Sequence, residues 1–120
     1  TDELIDSLLA TGIPYTSAQN PDEVMKRLNH LIVRGQSVRR TGSAAMDLCY
    51  LAAGRFAGYW EQDLKPWDTA AGALIVEEAG GRVTDFEGNP FTPFFKTVLA
   101  TNSLIHGDML AALRLEDRDA

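Results

Sequence analysis

Residues 65–81 read Lys65-Pro66-Trp67-Asp68-Thr69-Ala70-Ala71-Gly72-Ala73-Leu74-Ile75-Val76-Glu77-Glu78-Ala79-Gly80-Gly81. Proline suits the first position of a helix, where its missing N–H is no loss, and a glycine pair ends one, so the stretch predicts a helix from Pro66 to about Ala79. Alanine and glycine dominate its first turns, giving a face that lets a neighbouring element or ligand come close. Asp68 stands where the unpaired backbone N–H groups and the positive end of the helix dipole lie. Both favour the ionised carboxylate, the form that a hard cation needs. Taken alone, an aspartate there is more often a helix cap than a ligand. Trp67 is expected to pack beside that carboxylate and fix its direction.

Outward from this helix, apolar segments alternate with capped helical stretches, the pattern of an α/β domain. A strand is expected at residues 7–12, ended by Gly12 and Pro14. Asn20 as cap, Pro21, Asp22 and Glu23 announce a helix that presents Val24, Leu28, Leu31 and Ile32 on one side and stops at Gly35. A short strand follows at residues 37–40, then a helix at 43–53 with Ala45, Leu48, Cys49 and Ala52 on its packing face. Residues 56–60 are β-prone and end near Glu61. Beyond the Pro66 helix come a strand at 82–85, a turn at 87–90, a strand at 97–100, and a closing helix at 103–113 capped by Asn102 or Ser103. The charged tail from residue 114 is expected to fray. The fold expected is therefore α/β: a mixed, mostly parallel sheet of about five strands flanked by helices.

The run from Trp67 to Gly81 resembles the carboxy-terminal signature of the inositol monophosphatase family, part of the lithium-sensitive sugar-phosphatase superfamily. Arg40-Thr41-Gly42-Ser43-Ala44-Ala45 is similar to that family's arginine-x-glycine-small-alanine segment, and Tyr59-Trp60-Glu61 to its strand-end glutamate. Lys65-Pro66 before Trp67-Asp68 is like the bacterial members. The resemblance implies that Asp68 ligates Mg2+ and lies against the substrate, that Glu61 hydrogen-bonds a ring hydroxyl, and that Gly42, Ser43 and Ala44 line the sugar pocket. It implies hydrolysis of an inositol or sugar phosphomonoester, with metal-bound water attacking phosphorus and Asp68 serving the second metal. Fructose-1,6-bisphosphate, 3′-phosphoadenosine phosphate and histidinol phosphate are alternative substrates within the superfamily.

The family's other ligands lie in an Asp-Pro-x-Asp-Gly-Thr motif and a glutamate before it, and neither occurs in this sequence. Magnesium takes six oxygens in near-octahedral geometry, which one carboxylate does not provide. These residues are therefore expected to be the carboxy-terminal half of the fold and inactive alone, with no catalytic residue of their own and the amino-terminal half as partner. Thr1 in place of an initiator methionine suits a cleavage product or a fragment. The alternative reading is a non-catalytic half-domain that binds a partner.

Composition bounds the remaining possibilities. The chain has 120 residues, 45% of them apolar, enough for one compact core. A formal charge of −6 argues against a nucleic-acid or membrane-surface binder, and no apolar run approaches a membrane span. A lone Cys49 forms no internal disulfide, which suits the cytoplasm. Cys49 is expected to be buried packing, His30 and His106 surface or capping residues, Lys65 a loop lysine or substrate neighbour, and Arg39 and Arg40 surface charge or a subunit contact. Trp60 and Trp67 are read as core and pocket walls, and Asp85 with Glu87 as an acidic turn without metal. An apolar surface left by the other half, and pairing into a homodimer, are expected.

Overall fold

The computed structural model describes residues 1–12, 21–62, 65–92, 94 and 97–114. Among these, strand β1 (Leu8–Thr11) is followed by α1 (Pro21–Arg34), β2 (Ser37–Arg39), α2 (Ala44–Ala52), β3 (Gly58–Gln62), α3 (Pro66–Glu78), β4 (Arg82–Thr84), β5 (Thr97–Thr101) and α4 (His106–Leu113). A short 3-10 turn, Leu4–Asp6, precedes β1.

The five strands form one sheet in the order β2-β1-β3-β5-β4. β1 pairs parallel with both β2 and β3, whereas β5 runs antiparallel to β3 and β4. Four strands thus share one direction and β5 alone opposes them, so the sheet is mixed and mostly parallel.

Alternation along the strands builds two cores, because successive side chains leave a strand on opposite faces. Leu9, Trp60 and Leu99 point to one side with Leu31, Ile105 and Met109. Ala10, Tyr59, Val98 and Ala100 point to the other with Leu48, Ala73, Val76 and Val83. Helices α1 and α4 pack together over the first face, and α2 and α3 over the second. Covering both faces is what a parallel sheet requires.

The small residues of α3 act as expected. A Cβ on Gly72 would lie 2.6 Å from Leu48 Cδ1, so only glycine lets α2 and α3 approach this closely. Asp85 organises the acidic turn: its Oδ1 accepts from the N–H groups of Glu87 and Asn89, both at 2.9 Å, while Gly88 takes a positive φ of 88°.

Several expectations need correction. On α2 the inward residues are Asp47, Leu48 and Leu51, whereas Ala45 and Cys49 are exposed. The face is rotated by about one residue, because Leu48 and Leu51, not the smaller side chains, fill the space over the sheet. On α1, Leu31 is buried and Leu28 packs beside it, but Ile32, one position further round the helix, is exposed. Trp60 is core, but Trp67 is 77% exposed and does not flank Asp68 as a wall. β3 starts two residues later than expected. α4 starts at His106 because Ser103 sits at φ 77°, outside the helical region; Asn102 Oδ1 accepts from the N–H groups of Leu104 and Ile105 just before it.

The histidines divide. His30 Nδ1–H donates to the Ala112 carbonyl at 3.0 Å, capping the end of α4. His106, expected at the surface, is only 1% exposed, between Thr84 and Thr101. The Asn20 cap and most of the tail lie outside the described residues. No helix among the described residues is long and apolar enough to cross a membrane.

Candidate functional site

The chain leaves β1 through α1 to reach β2, then crosses back through α2 to reach β3 on the other side of β1. The helices that follow β1 and β3, α1 and α3, cover opposite faces, so the chain turns away in opposite directions beyond these two paired strands. In open α/β sheets such a switch point is where ligands bind. Here Thr11 Oγ1–H donates to the Trp60 carbonyl at 2.6 Å and holds the two strand ends together.

Glu61 stands at this end of β3 and is buried. The Tyr59 hydroxyl, two residues earlier on the same strand face, donates to Glu61 Oε1 at 2.6 Å. Gly12, just beyond β1, allows the arrangement: a Cβ there would lie 2.1 Å from Glu61 Oε1. Burial raises the Glu61 pKa above the ordinary carboxylate range; the charges of Asp47 and Asp68 push the same way, and the Tyr59 hydrogen bond and Arg40 oppose them. Burial and its acidic neighbours drive the Tyr59 phenol well above its usual value, so it remains a donor.

Asp68 opens α3 with its Oδ2 accepting the Lys65 backbone N–H at 3.1 Å, while its own N–H donates to the Lys65 carbonyl at 2.9 Å. It is at once a cap and a partly exposed hard-oxygen donor. Lys65 itself is exposed. Gly42 takes a φ of 89° with open space beside it. Ser43 caps α2 by accepting the Met46 N–H at 3.3 Å, and Ala44 is the first helical residue.

These positions converge on one side of the sheet. Glu61 feels the charges of Asp47 and Asp68, from the openings of α2 and α3, and of Arg40, just after β2. Asp47 and Asp68, whose charges both raise the Glu61 pKa, make its surroundings negative, which a divalent cation relieves. Asp68 fits the role of one oxygen ligand. Among the described residues, no group of three or more histidines, cysteines or acids converges to hold a metal. The remaining oxygens of a magnesium site would have to come from elsewhere.

Sequence reasoning missed Asp47 and the parts played by Thr41, Tyr59 and Gly12. Tyr59 was within reach, since residues two apart on a strand share a face. Asp47 lies three positions before the apolar Tyr50 and four before Leu51, so its inward direction was hidden by its charge.

The architecture defines an α/β domain with a buried carboxyl, Glu61, at the switch point of its sheet. The model of the inositol monophosphatase family matches residues 1–118, and the chain belongs to that family. It is 54% identical over 86 residues to the Nus factor SuhB of Vibrio cholerae, covering 72% of this chain and 32% of that protein. It is 43% identical over 113 residues to the inositol-1-monophosphatase of Synechocystis, covering 94% and 39%. The solved inositol monophosphatase of Anabaena superposes with a TM-score of 0.90 at 45% identity, covering 94% of this chain and 45% of the other. The chain spans less than half the length of these relatives.

Proposed function

We propose that the protein containing this chain is a magnesium-dependent phosphatase that hydrolyses inositol or sugar phosphomonoesters, and that this chain supplies the carboxy-terminal half of its active site. The observation that supports the reading is the buried Glu61 at the switch point, acted on by Asp68 from the opening of α3 and by Arg40 beside residues 42–44, in a chain of this family. Magnesium, when bound, supplies a Lewis acid that activates water and neutralises the departing alkoxide. Asp68 offers one anionic oxygen to it, held in direction by the Lys65 N–H. Glu61 presents a carboxyl, set by Tyr59 and Gly12, to a substrate hydroxyl. Residues 42–44 form the wall that follows the sugar. Fructose-1,6-bisphosphate, 3′-phosphoadenosine phosphate and histidinol phosphate are the alternative substrates, and a reducing cytoplasm the proposed compartment.

The reading includes a second half outside these residues, supported by relatives more than twice as long. It also includes pairing into a homodimer, supported by exposed apolar residues such as Met25, Ile32 and Val33 on α1 and Trp67 and Leu74 on α3. A second function reading is partner binding without catalysis. The name Nus factor carried by the Vibrio relative favours it.

The test is phosphate release from a panel of phosphomonoesters with magnesium, comparing this chain with the full-length protein. The full-length protein is expected to turn over, this chain not. Asp68→Asn in the full-length protein should lose at least about a hundredfold in kcat, the scale on which charge-stabilising groups act, with an unchanged melting temperature in the absence of magnesium. Turnover by the short chain would overturn the half-site reading. An inert full-length protein would favour the partner-binding one.

A further inference from the structure

Asp47 is 1% exposed, on the inward face of α2, and its Oδ2 has no hydrogen-bond partner. Its Oδ1 accepts from the Thr41 hydroxyl at 2.6 Å. A buried carboxyl with one oxygen unsatisfied destabilises a fold, and packing alone would favour an apolar side chain here. What the carboxyl does gain is control of a single hydroxyl. Thr41 has one hydroxyl proton, and the short contact to Asp47 claims it. The lone pairs of Thr41 Oγ1 then face the Ser43 N–H at 3.3 Å, leaving the 3.4 Å approach to the Ser43 carbonyl without a proton.

The chain of contacts spans Gly42. That residue sits at φ 89° with nothing within 4 Å of where its Cβ would be, so no packing restrains it. The restraint comes from the residues on either side: Asp47 fixes Thr41, Thr41 fixes the Ser43 amide, and Ser43 in turn caps α2 through Met46. We propose that Asp47 is a positioning residue, acting through the Thr41 hydroxyl to hold residues 42–44 in the shape that receives the substrate. The inference rests on the phosphatase reading for the nature of that substrate.

An acceptor that is charged makes the stronger bond, which is why aspartate suits the position better than asparagine or serine. The loop carries no reacting group, so losing the restraint weakens binding and leaves chemistry nearly intact. The hydrogen bonds of the Thr41 and Asp47 side chains stay within residues 41–47 and do not include Asp68.

The experiment uses the full-length protein and the phosphomonoester it hydrolyses best. Thr41→Val, nearly isosteric and on an exposed residue, should raise KM about five- to tenfold with kcat within about twofold, the loss of one charge-assisted hydrogen bond. Thr41→Ser should restore the wild-type KM. Asp47→Asn should shift KM in the same direction, and adding Thr41→Val to it should add little. Hydrogen exchange at the Ser43 amide should accelerate in Thr41→Val. KM within about twofold of wild type in both single variants of an active enzyme would overturn the proposal, as would equal losses in Thr41→Ser and Thr41→Val. An inactive wild type refutes the phosphatase reading instead. Ser43 exchange then decides the loop restraint by itself, and an unchanged rate in Thr41→Val overturns it.

Discussion

The direction of each hydrogen bond around His106 follows from what its two threonine neighbours do elsewhere. Thr84 Oγ1–H donates to the Asp85 carbonyl at 2.7 Å, so this oxygen accepts from His106 Nε2–H at 2.8 Å. Nδ1 is then a bare acceptor for Thr101 Oγ1–H at 2.8 Å, while Thr101 accepts the Ser103 N–H. A second ring proton would displace the Thr101 hydroxyl proton from its acceptor, and burial disfavours the charge further. Burial, and secondarily the charge of Arg82, lower the pKa to about 4 from an ordinary 6.5. Between those values the unfolded chain binds the proton that the folded chain refuses. The imidazole's contribution to stability is therefore full above about pH 6.5 and declines as pH falls toward 4, by on the order of 3 kcal/mol. Asp47 and Glu61, both with raised pKa, act in the opposite direction, since the folded state takes up their protons first. Urea midpoints at pH 7 and 4.5 should thus be compared between wild type and His106→Gln, in which both acids still titrate. Wild type is expected to lose more stability on acidification than the variant. Identical pH dependence would mean that His106 titrates normally. Neither the burial nor the tautomer was legible in sequence, because both depend on threonines from β4 and β5 that only the fold brings together.

At the level of elements, the legible part was whatever local chemistry dictates. Pro66 and the terminal glycines bounded α3, Asp85 and Gly88 shaped their turn, and the β-prone runs became strands. Facing was less legible. On α2 the charge of Asp47 and the small size of Cys49 suggested the wrong inward stripe, and the demand of the sheet for large side chains decided otherwise. The same interface gives a prediction for Gly72, whose backbone rests against Leu48. Gly72→Ala gains roughly 1 kcal/mol of helix propensity. It also places a methyl 2.6 Å from Leu48 Cδ1 and 2.8 Å from Leu48 Cβ. Leu48 is wholly buried and has no room to retreat, so the overpacking cost of roughly 1–3 kcal/mol should win. A net loss of about 1 kcal/mol is expected in chemical denaturation, and Leu48→Ala combined with Gly72→Ala should be less damaging than the sum of the two single changes. A stabilised Gly72→Ala would show that α2 and α3 slide apart easily.

Across the whole molecule, the proposed function divides a complete folded frame from a site shared with another part of the polypeptide. Both faces of the sheet are covered and two cores are closed, so the domain has the means to hold its shape. On the proposed function, the site at the end of β1 and β3 has a pocket wall, a substrate-facing carboxyl and one candidate metal ligand. That proposed division comes from the Asp68 signature and the lack of the family's other ligand motif in the sequence; the influence of the Asp47 and Asp68 charges on Glu61 emerged only with the fold. That division has a thermodynamic consequence. A ligand that binds the folded state stabilises it by RT ln(1 + [L]/Kd), so the shift in melting temperature reports how complete the cation cage is. A single carboxylate binds magnesium too weakly to matter at millimolar concentration, because the ion keeps most of its waters. The melting temperature of this chain should therefore move by less than about 1 °C on adding about 5 mM magnesium, whereas the full-length protein should gain several degrees. Asp68→Asn should shrink the gain in the full-length protein and leave this chain indifferent. A shift of several degrees in the short chain, lost in Asp68→Asn, would place a complete cation site within these 120 residues and remove the reason for assigning the remaining ligands to another part of the polypeptide.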